Sequence, residues 1–142
     1  MIDKADNKPA AGAELQIEKW VYGGAGLGRL EGRVVLTPFV LPGERVRIEV
    51  EREKASMVEA RAVEWVERSP ERVEPACQYF ERCGGCHYQH APYEYQAARK
   101  VEIVREVLRR VGKVEAPAEI GLRTGEPLGY RNRSQFHLRG AR

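Results

Sequence analysis

The apolar residues of the first half of the chain change side every second position. Val46, Ile48 and Val50 alternate with Arg45, Arg47, Glu49 and Glu51, and Val58, Ala60 and Ala62 repeat the pattern. A period of two is that of a half-buried strand, with one face toward a core and the other toward water. Leu15 and Ile17 begin the same way before Trp20 and Val21, and Arg33 to Leu36 is a short apolar run stopped before Pro38. Pro42-Gly43 marks a turn, and at Val63 and Trp65 the alternation changes phase, the sign of a bulge. Four or five short strands with Gly/Pro turns between Glu14 and Val66 fit a small closed β-barrel of the OB size class.

Gly24-Ala25-Gly26-Leu27-Gly28 superficially resembles a nucleotide loop. Counted from Gly24, the third glycine of G-x-G-x-x-G is replaced by Arg29, and a strand pattern follows instead of a helix. Without a helix N-terminus to face phosphate, the glycines fit a close backbone turn at a barrel corner.

Beyond the barrel, Ser69 to Pro75 is a charged linker with two prolines, and Cys77 to Cys86 is an irregular loop. Pro92 suits the first turn of a helix over 92–111. That helix would carry Val101, Val104, Leu108 and Val111 at helical spacing, a Glu106–Arg110 pair, and Gly112 just past its end. Residues 113–129 read as loop with at most one strand, and Tyr130 to Leu138 as the start of another. The expected fold class is therefore mainly β plus α. The expected segments are a disordered tail over 1–13, a barrel over 14–68, a cysteine loop over 69–91, and a helix with the opening of an incomplete α+β domain over 92–142. A chain that stops just after opening a strand reads as a fragment.

Charge is uneven. Residues 1–94 hold 13 Lys+Arg and 16 Asp+Glu, and residues 95–142 hold 11 and 5. A basic half attracts phosphates in a salt-sensitive way, although a solvated charged surface has the same composition. Tyr130-Arg131-Asn132-Arg133-Ser134-Gln135-Phe136-His137 mixes cations, amides and aromatics that can grip phosphate and stack on unpaired bases, or form the polar face of a strand. The barrel segment 14–66, with 8 Lys+Arg against 9 Asp+Glu, is no polycation. No apolar run approaches the roughly 18–20 residues that span a bilayer, and the start lacks an apolar signal region, so a cytoplasmic protein with no membrane partner is expected.

All three cysteines, Cys77, Cys83 and Cys86, fall in one C-x5-C-x2-C motif. In a reducing compartment such a cluster points to a metal or a reactive site before a disulfide. Gly84 and Gly85 let the backbone fold around a bulky centre, with N–H groups available to its sulfurs. Zinc would want a fourth ligand, for which His87 or His90 is at hand. Three plain thiols remain the alternative.

Together these features resemble the iron–sulfur RNA 5-methyluridine methyltransferases, in particular the 23S rRNA uracil-C5 methyltransferase family. The resemblance runs from about Glu14 to the last residue. It rests on Tyr22-Gly23-Gly24, Leu41-Pro42-Gly43-Glu44, Ser69-Pro70, Arg72, Pro75 and Cys77. It continues through Cys83-Gly84-Gly85-Cys86, His90, Tyr93, Gln96, Lys100 and Tyr130-Arg131-Asn132-Arg133. It implies a TRAM domain, an OB-like RNA-binding barrel, over 14–68, and a [4Fe-4S] cluster bound by Cys77, Cys83 and Cys86. It implies RNA, 23S rRNA in particular, as partner, with no DNA. Enzymes of this family use S-adenosylmethionine, attack uracil C6 with a cysteine and methylate C5 of a base taken out of its stack. Two departures matter. The family's fourth cluster cysteine is missing, and so is its methyl-transfer domain with the catalytic cysteine. The resemblance therefore implies no catalytic residue here, no methyl transfer by this chain alone, and either a truncated product or a separate catalytic chain as partner. A non-enzymatic TRAM module with a structural zinc site is the competing reading. A radical methylthiotransferase fits poorly, because its barrel follows a C-x3-C-x2-C motif instead of preceding C-x5-C-x2-C.

Overall fold

The computed structural model describes residues 12–135. It contains six strand segments: β1 (Glu14–Gln16), β2 (Lys19–Trp20), β3 (Ala25–Leu30), β4 (Arg33–Pro38), β5 (Arg45–Glu53) and β6 (Met57–Glu67). One helix follows, α1 (Tyr93–Arg110). The strands form one curled sheet in the order β1-β5-β6-β4-β3-β2, antiparallel except for the parallel pair β4–β6.

The two edges of this sheet are consecutive in sequence, and that is how the sheet closes. β1 pairs with β5 and β2 pairs with β3. Between them the Ile17 N–H donates to Glu44 O at 2.8 Å and the Glu18 N–H to Leu27 O at 2.8 Å. One bent strand, Glu14 to Trp20, thereby stitches both edges and leaves few unpaired edge groups. The wall of the barrel comes so close to itself here that two glycines of β3 are needed for space. A Cβ at Gly28 would lie 2.4 Å from the Gln16 carbonyl oxygen, and one at Gly26 would lie 2.4 Å from Val40 Cγ2. The glycine run is thus a barrel-wall device.

Inside the barrel, Leu15, Ile17, Val35, Val40, Val46, Ile48, Val58 and Ala60 form one buried cluster. The bulge foreseen at Val63 is present: Arg47 pairs with Glu64 and Ile48 with Ala62, so Val63 has no opposite number. β4 runs through Pro38, which pairs with Ala25 at the strand end, instead of stopping before it. Gly12 and Ala13, expected in the tail, are tied to β5: the Gly12 N–H donates to Ile48 O and the Ile48 N–H to Ala13 O, each at 3.0 Å. Residues 1–11 of the expected tail lie outside the described residues.

The helix starts after Pro92, as its sequence suggests, but a different face is buried. Ala97 and Ile103 are covered, whereas Val104, Val107 and Val111 are 45%, 38% and 78% exposed. Propensity and period fix that a helix forms, while the docking partner fixes its rotation. Here the partner is a second apolar cluster of Trp20, Leu41, Ala91 and Ile103, flanked by Tyr88 and Tyr95. The Lys19 ammonium donates to Glu106 at 2.6 Å across the same junction, and Arg110 pairs with Glu106 at 3.1 Å. The left-handed residue ending the helix is Lys113 (φ 54°), not Gly112, and the Val114 N–H closes onto Leu108 O at 3.0 Å. Among the described residues, no strand follows the helix; the expected strand at 130–138 is irregular over 130–135, and its remainder lies outside them. No described helix is long and apolar enough to cross a membrane.

Adding a methyl group in each strained place separates backbone obstruction from side-chain crowding. Gly28→Ala, blocked by a carbonyl, should lower stability in urea denaturation by about 1–3 kcal/mol or more. Gly26→Ala, met by the movable side chains of Val40 and Ile17, should lose less.

Candidate functional site

Glu44 is fully buried, yet its carboxylate is surrounded by donors. Oε1 accepts from Arg72 Nε at 2.6 Å and the Ser69 N–H at 3.3 Å. Oε2 accepts from the Leu41 N–H at 2.8 Å, Arg72 Nη2 at 2.8 Å and Trp65 Nε1 at 3.1 Å. Burial pushes this carboxyl up, but the Arg72 hydrogen bonds and charge with the two backbone N–H groups outweigh it and hold Glu44 below the usual carboxylate range. Arg72 also donates to Phe39 O at 2.9 Å and stacks over Trp65. What reads in sequence as a free linker is therefore clamped to the barrel, and the cysteine loop starts from a fixed point. Sequence reading placed Glu44 in a turn and missed this role; nothing in Pro-Gly-Glu signals a partner 28 residues on.

The far end of the loop is fixed by His90. It is fully buried, with Nε2 donating to Val40 O at 3.3 Å and its ring against Trp20 and Phe80. Its Nδ1 is buried without a partner among the described residues. Desolvation pushes the imidazole down to about 4, so it is neutral. Packed in this way, His90 is withdrawn from the pool of metal ligands, which corrects its candidacy as a fourth zinc ligand. His87 is exposed next to Cys86, and its Cβ would sit 2.6 Å from any Cβ at Gly24.

Between these anchors, Cys77 is half-buried, Cys83 and Cys86 are exposed, and none is in a disulfide. The Cys77 N–H donates to Gln89 Oε1 at 3.1 Å, and the Phe80, Arg82 and Cys83 N–H groups close short turns onto Cys77 O and Tyr79 O. Gly84 takes φ 73°, and a Cβ on Gly85 would be 3.4 Å from Cys83 Sγ. In donor chemistry three thiols on one loop fit a thiophilic iron or zinc centre. The three are nevertheless not gathered around one point: among the described residues no group of three His, Cys, Asp or Glu side chains is placed to hold a metal ion.

The loop faces a cleft of about 650 Å³. Its far wall is residues 127–131, brought back over the helix because Arg105 donates to Pro117 O at 2.9 Å and Ala118 O at 2.7 Å, and the Gly125 N–H donates to Tyr93 Oη at 3.3 Å. Cys86, His87, Tyr88, Lys100, Tyr130 and Arg131 thus line one space.

Cutting the clamp should loosen the cysteine loop and the barrel together. Arg72→Ala leaves the Glu44 carboxylate buried without its counter-ion and should lower stability by about 3–5 kcal/mol. Arg61→Ala on the outer sheet should stay within about 1 kcal/mol. Stability should also depend on acid in two steps. His90 binds its proton more readily unfolded, so stability present above about pH 6.5 falls as the pH drops toward about 4. Glu44, lowered when folded, adds a further loss below about 4.5. Urea midpoints of the wild type and of His90→Gln between pH 7 and 4 check this: the variant, lacking the titrating ring, should lose the first step.

Residues 13–63 match the TRAM domain family model. Among curated proteins, an uncharacterized RNA methyltransferase of Caldanaerobacter subterraneus subsp. tengcongensis is 37% identical over 87% of this chain and 27% of its own length. An uncharacterized RNA methyltransferase of Aquifex aeolicus is 40% identical over 88% and 30%. A 23S rRNA (uracil(1939)-C(5))-methyltransferase of Francisella tularensis subsp. novicida is 36% identical over 89% and 28%. The solved Pyrococcus abyssi tRNA (uracil-54, C5)-methyltransferase in complex with S-adenosyl-L-homocysteine shares 33% identity over 71% of this chain and 22% of that one, at a TM-score of 0.41. The chain spans 27–30% of the length of these curated relatives. The chain carries a TRAM domain, an OB-like β fold, and over most of its length is homologous to RNA methyltransferases, a 23S rRNA uracil-C5 methyltransferase among them.

Proposed function

We propose that this chain is the RNA-binding portion of an RNA (uracil-C5)-methyltransferase, with 23S rRNA as its substrate. The observation that carries the reading is identity of 36–40% to RNA methyltransferases over 87–89% of the chain, far more than the barrel alone spans. S-adenosylmethionine would be the methyl donor, bound by the part of the relatives' length that this chain does not span. The residues of this chain would hold RNA and position it.

Cys77, Cys83 and Cys86 are proposed as three ligands of a [4Fe-4S] cluster, which when bound would supply a rigid, charged cross-link of the loop. The support is the donor set and a loop fixed at both ends by Arg72 and His90. A zinc site is the second reading, favoured by His87, exposed beside Cys86 and lining the same cleft.

Anaerobic purification followed by iron, acid-labile sulfide and zinc analysis separates the two. Iron and sulfide with a brown colour are expected. Colourless protein with stoichiometric zinc would instead establish the second reading. Cys83→Ser should abolish metal content while the far-ultraviolet β signal persists, because the barrel core contains no residue of the loop. Incubated with labelled S-adenosylmethionine and 23S rRNA, the chain alone should transfer no methyl group, and RNA capture should weaken as salt rises.

A further inference from the structure

The strands of the barrel carry their cations already opposed. Each of the eight Lys and Arg residues of 14–66, Lys19 to Arg61, has a carboxylate within ion-pair distance, while Arg68, just past β6, lies over the Trp65 ring. Arg47, for example, lies 2.8 Å from Glu64 and 3.5 Å from Glu14, and Arg29 lies 2.6 Å from Glu18. With the buried Glu44 set aside, eight acids stand against eight bases, so an RNA phosphate approaching this outer sheet meets carboxylates wherever it meets a cation. Such exposed pairs are weak individually, but the surface has no net charge to attract a polyanion.

The unopposed cations lie elsewhere. Lys100 sits over the Tyr88 ring at 5.5 Å, and neither it nor Arg131 has an ion-pair partner among the described residues. Both line the cleft between the cysteine loop and the segment held by Arg105 and Tyr93. On the same wall stands Tyr130, 69% exposed, whose ring has no aromatic neighbour among the described residues. A volume of about 650 Å³ lies within the usual range for small-ligand sites and admits a nucleotide. Tyr88 cannot serve as the stacking platform, because Trp20 packs against it at 4.7 Å and Lys100 covers it.

We propose that this cleft, and not the outer sheet of the TRAM barrel, takes an unpaired RNA nucleotide, with its base against Tyr130 and its phosphate on Lys100 and Arg131. The proposal rests on the RNA-binding reading above and assigns it a place. In this arrangement the barrel acts as a scaffold: it fixes the cysteine loop through Glu44, and the loop forms one wall of the cleft.

Fluorescence anisotropy of the full chain with a labelled single-stranded uridine decamer tests the assignment, with circular dichroism confirming that each variant is folded. Tyr130→Ala should bind at least about fivefold more weakly, the low end of the worth of one base stack, while Tyr130→Phe should bind as wild type. Lys100→Ala with Arg131→Ala should flatten the dependence of log K on log salt by about one to two units. Arg47→Ala with Arg61→Ala on the barrel should change neither. If instead the barrel pair abolishes binding and the cleft variants leave it intact, the cleft is not the site although the chain binds RNA. If the wild type does not bind the decamer at any salt, the RNA-binding reading falls, and the cleft assignment with it.

Discussion

Five hydrogen bonds converge on one buried carboxylate, and the position of the cysteine loop depends on them. Glu44 follows the turn between β4 and β5, so it is fixed by the barrel; Arg72 belongs to the segment after β6. Isolated, an ionised carboxylate at full burial would be heavily penalised. Here both oxygens are saturated, and two donors, the Leu41 and Ser69 N–H groups, come from backbone that the fold must place there anyway. Such a pair adds little net stability compared with an apolar substitute, but it is directional: Arg72 reaches both oxygens and Phe39 O at once, which ties the path of residues 68–73 to the barrel. A linker of charged residues and prolines becomes a positioned strap through this one contact.

Barrel closure imposes the other constraint. A sheet whose edges are supplied by one bent strand needs a wall thin enough for that strand to cross, and β3 meets the need with Gly26 and Gly28. The same crossing delivers Trp20 to the outside of the barrel, where it donates to Val40 O at 2.6 Å and founds the second apolar cluster with Leu41, Ala91 and Ile103. Helix docking is thus a consequence of barrel closure, and the buried face of the helix follows from where Trp20 emerges.

Legibility in the sequence tracks the range of the interaction. Strand periodicity, the Pro42-Gly43 turn, the Val63 bulge and the helix after Pro92 depend on neighbours a few residues apart, and each was readable. The cysteine spacing was visible as well. The Glu44–Arg72 clamp, the burial of His90 and the rotation of the helix were not, since each is decided by residues distant in sequence. The valines at helical spacing were misleading for that reason: periodicity shows which residues share a face, not which face finds a partner. His90 looked like a ligand because it follows a cysteine motif, and only its ring contacts show it to be a packing residue.

A match to a TRAM domain invites the assumption that RNA lies on the barrel. The charge arrangement argues for a division of labour instead. Strand pairing places Arg45, Arg47, Arg52 and Arg61 opposite or diagonal to glutamates, so the alternation that builds the sheet also neutralises its outer face. Lys100 on the helix and Arg131 in the segment held by Arg105 lie outside that register, and neither has an ion-pair partner among the described residues. Of the basic residues in 95–142, Lys100 and Arg131 are the two that the fold brings beside the cysteine loop among the described residues.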